Sequence, residues 1–390
     1  MAGLRSLPVG VVVLVACLLA ATVAGLVVLW PDRSSDLKVD TSLRAPTFDA
    51  EVVGLDPGRC RGSESSRECK RIRAELLNGP DEGRIVGFAS GESTSDPEFA
   101  KGDRVRLARY EVPEGAPRGD PYSFADFDRR APMLWLLLGF ATVVVVFGRL
   151  RGLLSLLGLG VSVAVITAFI VPAILDGTSP LAVAVVGSMA VMFATMGLAH
   201  GFGPKSVAAS LGTAAALLLT AGLAVLATEL ANITGFSSEE ATLLQGVAGE
   251  LSLEGLVLAG IVIAALGVLD DLTVSQSSAV MALRRANPAH GARELYRGAI
   301  AIGRDHVAAT VNTLVLAYVG ASLPVLLIFT VGDIPFADAI NREAVAQQVI
   351  GILVGSVGLI AAVPLTTGIA AVLASRGGLG SDGRSHAHLH

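Results

Sequence analysis

Charge is what this 390-residue chain has least of: only 16% of its residues are Asp, Glu, Lys or Arg, 5% are aromatic and three are cysteines. With 52% hydrophobic residues and a mean hydropathy of +0.65, that composition excludes an ordinary soluble domain, in which about 25% of residues are charged. Familiar catalytic signatures are missing too. There is no nucleophile elbow, no HExxH and no phosphate-cradling glycine loop with a lysine, and three of the six histidines form the terminal "HAHLH" at 386–390. The chain is therefore expected not to be an enzyme. His-rich tracts can hold transition metals weakly, but this one follows a Gly- and Ser-rich stretch and reads as a solvated end.

Long apolar runs are what the chain has instead. A helix needs ~20 apolar residues to cross a hydrocarbon core. Eight such runs can be drawn: Val9–Trp30, Pro132–Phe147, Leu153–Leu175, Leu181–Leu198, Val207–Ala227, Gly255–Val274, Val307–Val331 and Val345–Leu373. This predicts an all-α membrane bundle with an inserted domain. Residues 1–8 form a cytoplasmic N-terminus, 9–30 the first span, 31–130 an extracytoplasmic domain, 131–374 seven further spans and 375–390 a disordered cytoplasmic tail. Cationic residues support that orientation, because cytoplasmic loops collect Lys and Arg. With Arg5 inside, the alternate turns place Arg149, Arg151, Lys205, Arg284, Arg285, Arg293, Arg297, Arg304, Arg376 and Arg384 on the same side, whereas the short external loops contribute only Arg342. Both termini are thus expected in the cytoplasm. The first run could also be a signal peptide, but it is about twice the 7–15 residues of a signal core and lacks an obvious cleavage site; an uncleaved anchor is expected.

Residues 31–130 hold more than half of the charged residues and must sit in water. Short β-rich segments at 48–55, 71–77, 83–88 and 102–112, separated by Gly, Pro, Asp and Ser turns, predict a small β-barrel or sandwich of OB-like size. Its acidic and basic residues nearly balance and aromatics are few, which argues against nucleic acid. Cys60 and Cys69 flank "RGSESSRE" and outside the cell read as a disulfide, with two free thiols as the alternative. Cys17, inside the first run, reads as a small apolar residue.

A tandem helical-hairpin repeat is hinted at by "SVAASLGT" at 206–213 and "HVAATVNT" at 306–313, each following a basic residue and opening an inside-to-outside span. The candidate site is "GVLDDLTVSQSS" at 267–278. If its span starts near Gly255, Asp270 and Asp271 lie ~23 Å along a core ~30 Å thick. A carboxylate there costs about 3 kcal/mol and needs a partner, water or a proton. On a helix Asp270, Thr273 and Ser277 form one stripe and Asp271, Ser275 and Ser278 the next, with Gln276 between. The expected site is a broken helix whose hard oxygen ligands suit H+, Na+, Mg2+, Mn2+ or Ca2+, with Asp270 and Asp271 as metal ligands. In the alternative, the span ends at Leu269 and the aspartates merely mark the interface. Asp305, Asn312, Thr313 and Thr366 are candidates for the same cavity. Asn312 could equally make an interhelical hydrogen bond, and Pro364 could simply kink its span.

In "LGVLDDLTVSQSSAV" at 266–280, "GRDHVAATVNTLVLAYVGASLP" at 303–324, "VGSVGLIAAVPLTT" at 354–367 and "GPKSVAASLGT" at 203–213, the chain resembles the YibE/F family of bacterial multi-pass membrane proteins. The resemblance implies the architecture and a bacterial cytoplasmic membrane, and it places Asp270, Asp271, Asp305 and Asn312 in shared motifs, but it supplies no substrate. Two functions remain: a secondary transporter or permease for a cation or small solute, or a non-transporting envelope scaffold whose external domain binds a protein partner. Lipid is the one certain partner; no cofactor beyond a cation and no oligomeric state is implied.

Overall fold

The computed structural model describes residues 7–31, 45–59, 68–90, 97–110, 121–201, 203–237, 239–248 and 251–376. The chain divides into two compact units, Lys38–Val143 and Met1–Leu37 with Val144–His390. The Cys60–Cys69 pairing and the "HAHLH" end lie outside what is described.

The smaller unit is a curled antiparallel sheet of β1 (Thr47–Arg59), β2 (Glu68–Leu76), β3 (Ile85–Ser90), β4 (Arg104–Arg109) and β5 (Tyr122–Phe127), ordered β3-β2-β1-β4-β5. Alternation sends Ala50, Val52, Ile72, Ala74, Leu76, Val86, Phe88, Val105 and Leu107 to one side, where they form the core with Tyr122. On other faces sit ion pairs such as Arg73–Asp56 at 2.7 Å and Arg106–Asp49 at 2.8 Å. An irregularity between Val52 and Gly54 bends β1, which pairs with both β2 and β4. The sheet curls until its end strands meet, Phe88 of β3 stacking 5.9 Å from Phe124 of β5. Tyr122 donates a 2.6 Å hydrogen bond to Asp81, and burial together with that carboxylate raises the phenol above its ordinary pKa. The first four strands fall in the segments expected; β5, "YSFADF", lies beyond them.

In the helical unit, α1 (Val9–Val28) is followed by α2 (Arg130–Val165, its start lying in the smaller unit), a π-helical stretch at Ile166–Ile170 and α3 (Val171–Leu175). Then come α4 (Pro180–Thr195), a second π-helical stretch at Met196–His200, α5 (Pro204–Leu230), α6 (Glu239–Ala248), α7 (Leu253–Ala286), α8 (Ala292–Ala321), α9 (Leu323–Val331), α10 (Phe336–Asn341) and α11 (Glu343–Arg376). Among the described residues six helices are long and apolar enough to cross a membrane, or up to seven if α8 and α9, bent by 59°, count as one span. The two runs expected at Pro132–Phe147 and Leu153–Leu175 belong to one 46-residue helical stretch. Straight, it would measure about 69 Å. It is broken at Arg149 (φ 51°, ψ −133°), and a Cβ on Gly152 would meet the Val144 carbonyl and come within 3.3 Å of Val145 Cα. In a straight helix residues so spaced lie about 12 Å apart, so the chain reverses there.

Close contacts set the register of the bundle. A Cβ on Gly212 of α5 would overlap Thr366 of α11, and one on Gly358 of α11 would overlap Thr220 of α5. The two helices therefore run antiparallel, with glycine permitting the close approach that holds apolar helices together by dispersion. α7 begins with Ser252 accepting from Gly255 N at 3.0 Å, with Glu254 in its first turn and Arg284 and Arg285 in its last, as the helix dipole favours. It runs unbroken for 34 residues. That overturns the expected unwinding at Asp270. Ser278 and Thr273 instead donate back to Val274 O (2.7 Å) and Asp270 O (3.2 Å), which satisfies the hydroxyls without opening the helix. α11 likewise stays helical through Pro364. The segments compared as a repeat both open helices antiparallel to α7, but 206–213 is wholly buried and 306–313 is not buried anywhere.

Candidate functional site: a polar seam at Asp270

Where α4, α5, α7, α8 and α11 meet, polar side chains replace the aliphatic core. Thr213, Thr273, Gln276, Ser277, Thr366 and Thr367 are all at most 1% exposed. Thr213 and Thr273 bring their hydroxyl oxygens to 2.6 Å across α5 and α7. Gln276 donates to Ala299 O of α8 at 2.8 Å and to Thr367 Oγ1 of α11 at 2.7 Å; Thr367 in turn donates to Val363 O at 2.6 Å. Gly303 makes room for that amide: a Cβ there would sit 2.9 Å from Gln276 Oε1. These bonds satisfy their groups and tie four helices together.

Asp270 sits beside the seam, half-buried. Its Oδ2 accepts a 3.3 Å hydrogen bond from Thr195, the last residue of α4 before the π-helical stretch. Thr195 Oγ1 also lies 3.1 Å from Met192 O, so its single proton is shared between two acceptors. Asp270 Oδ1, Ser277 Oγ and Thr366 Oγ1 are buried without a hydrogen-bond partner. A half-satisfied carboxyl next to π-helical backbone is the group of this seam most in need of a further partner.

The structure gathers some of the expected residues and separates others. Asp270, Thr273, Gln276, Ser277 and Thr366 face inward, and Ser275 is half-buried. Asp271 is exposed, the helix having turned ~100° from one aspartate to the next. Asp305, Asn312 and Thr313 are exposed on α8, where Thr313 donates to its own helix at Ala309 O (3.0 Å). Among the described residues no group of three or more His, Cys, Asp or Glu could hold a metal ion. Since α7 stays helical, it offers no free carbonyls to complete an ion shell; only side-chain oxygens remain. Sequence reasoning missed Thr195 and Thr213. Thr213 closes the "SVAASLGT" segment already singled out, whereas Thr195 is an isolated threonine in an apolar run and carries no signal.

Fold and seam together define a class: a helical bundle of membrane-spanning proportions with an under-bonded carboxyl at its polar seam, carrying a curled five-stranded sheet in the same chain. Within that class the chain belongs to the YibE/F-like protein family, whose model matches residues 136–376. No curated protein and no solved structure matches it.

Proposed function

We propose that this is a multi-pass protein of the bacterial cytoplasmic membrane and a secondary transporter or permease for a cation or small solute, with Asp270 as its proton or cation site. The observation that carries the reading is the buried Oδ1 of Asp270, which has no donor and no counter-charge in hydrogen-bond contact. In a bilayer such an oxygen needs a proton, a cation or water. A single carboxyl among hydroxyls favours a proton or a monovalent ion over Mg2+ or Mn2+, which call for more oxygen ligands. Eight crossings follow if the chain reversal at Arg149 makes the 46-residue stretch two spans and α8 with α9 one. Cations at one end then put both termini in the cytoplasm. The sheet order, with β3 brought beside β5, supports an OB-like extracytoplasmic domain.

The satisfied bonds of Gln276 and the Thr213–Thr273 pair favour a second reading, a non-transporting envelope scaffold in which the seam only holds helices together and the β domain binds a partner. Purified protein in liposomes separates the two through uptake of H+, Na+, Mg2+ and Mn2+. The transporter predicts flux for at least one ion, reduced about tenfold or more in Asp270→Asn, the scale of losing one interaction of ~1.4 kcal/mol or more. Equal and negligible flux in both proteins would remove the transport reading for those ions.

A further inference from the structure

The bundle gathers positive charge at one end without balancing it. A Cβ on Gly158 would sit 3.6 Å from Thr195 Cγ2, which places the second half of α2 beside α4. Counting from that contact, Arg151 lies about 10 Å toward the end of one helix and His200 about 8 Å toward the end of the other. From the Thr213–Thr273 contact, Lys205 lies about 12 Å along α5 and Arg285 about 18 Å along α7 in the same direction. Three segments distant in sequence therefore deliver cations to one end of the bundle. Lys205 is half-buried and within electrostatic reach of Arg151 and Arg285; His200 is within reach of Lys205 and Arg151. Among the described residues none of these four is ion-paired, whereas Arg73, Arg106, Arg129 and Arg130 of the smaller unit all have carboxylate partners. The same place receives the start of the 27-residue α5, whose N-cap is Gly203 and whose first turn contains Pro204; no side chain caps it. Its dipole adds to the positive field.

We propose that Arg151, His200, Lys205 and Arg285, converging at the head of α5, form a binding site for a phosphate group. Guanidinium forks and an ammonium within electrostatic reach of one another, at the end of the bundle where an uncapped helix starts, match the oxygens of a phosphate mono- or diester. A neutral solute leaves the repulsion among the cations in place; an anion relieves it. Arg284, the neighbour of Arg285, is excluded because it donates to Pro288 O (2.5 Å) and His290 O (2.6 Å) and belongs to the α7–α8 turn. The site does not depend on whether Asp270 carries flux.

The phosphate can come from an anionic phospholipid headgroup or from a free phosphate-bearing solute, and two probes distinguish them. Full-length protein is melted in zwitterionic detergent with inorganic phosphate or with chloride at matched ionic strength. In parallel, it is recovered from nanodiscs of phosphatidylcholine with or without phosphatidylglycerol, and retained lipid is measured by native mass spectrometry. Stabilisation by phosphate beyond that by chloride assigns a free solute; selective retention of phosphatidylglycerol without it assigns a headgroup. In either case Arg151→Gln with Lys205→Gln should weaken the response about tenfold, as loss of charge-assisted contacts implies. Lys205→Arg should keep it, as should Arg293→Gln with Arg297→Gln, which removes two cations of α8 outside the cluster. Wild-type protein that prefers neither phosphate over chloride nor phosphatidylglycerol over phosphatidylcholine overturns the proposal. So does an equal loss in the Arg293 and Arg297 variant, which would reduce the cluster to diffuse surface charge.

Discussion

Two carboxyls of the helical unit, Glu343 at the start of α11 and Asp270 in the middle of α7, have opposite hydrogen-bond inventories. Glu343 Oε1 accepts from the backbone of Gly235 (2.5 Å) and Thr234 (2.9 Å) and from Gln347 Nε2 (3.1 Å), and Oε2 accepts from Thr234 Oγ1 (2.8 Å). Gln347 is itself held by Ser237 Oγ at 2.9 Å. The carboxylate thereby pins the loop after α5 to the head of α11, where Gly235 adopts φ 87° and a Cβ would overlap the Leu253 backbone. Asp270 has one weak donor and one buried oxygen with none. A carboxylate that four donors reach is part of the scaffold; one left half-bonded among buried hydroxyls contributes far less to holding the helices together.

The comparison can be broken most directly at Glu343. Glu343→Ala leaves two backbone N–H groups and the Thr234 hydroxyl without their acceptor, at a cost of about 2–4 kcal/mol for bonds to a charged group. The expected outcome is a lower thermal unfolding midpoint in micelles, with flux per folded molecule unchanged. An unchanged midpoint would mean that water replaces the carboxylate and that Glu343 holds nothing together. Asp270→Asn should behave differently in the same melt. The amide oxygen can still accept from Thr195 and the buried charge is gone, so the midpoint should hold or rise, by about 0–2 kcal/mol in stability. A fall as large as that of Glu343→Ala would make Asp270 another scaffold residue.

How much of this was legible in the sequence depends on what each feature requires. Apolar length announces a spanning helix, and cations mark one end, so most of the bundle follows from runs of Leu, Val and Ala with Arg at their borders. The reversal at Arg149 follows less readily, because the runs on either side are nearly continuous and the turn depends on a left-handed φ at an arginine together with close packing at Gly152. Unwinding at Asp270 was a natural expectation from the density of Ser and Thr; it fails because those hydroxyls bond to their own helix. Periodicity correctly put Asp270, Thr273 and Ser277 on one stripe. It could not say that the α8 stripe of Asp305 and Asn312 faces outward, since that depends on which side of α8 meets α7 and α11, decided where Gly303 accommodates Gln276. Thr195 bonds to a residue 75 positions away and has no local pattern at all.

The smallest effect is expected one residue from Asp270. Asp271 shares its neighbour's charge and depth but points ~100° away and is exposed, with no hydrogen bond among the described residues. If position rather than residue type makes Asp270 the site, Asp271→Asn should change flux by no more than about twofold, the range of surface substitutions away from special features. The measurement is the same liposome uptake, run beside Asp270→Asn so that protein density and leak cancel. Loss of flux equal to that of Asp270→Asn would mean that the exposed face of α7 lines a water route and that the two carboxyls act as a pair in one pathway. The under-bonded oxygen would then be one half of a pair, and the contrast with Glu343 would lie in access to water rather than in hydrogen-bond count.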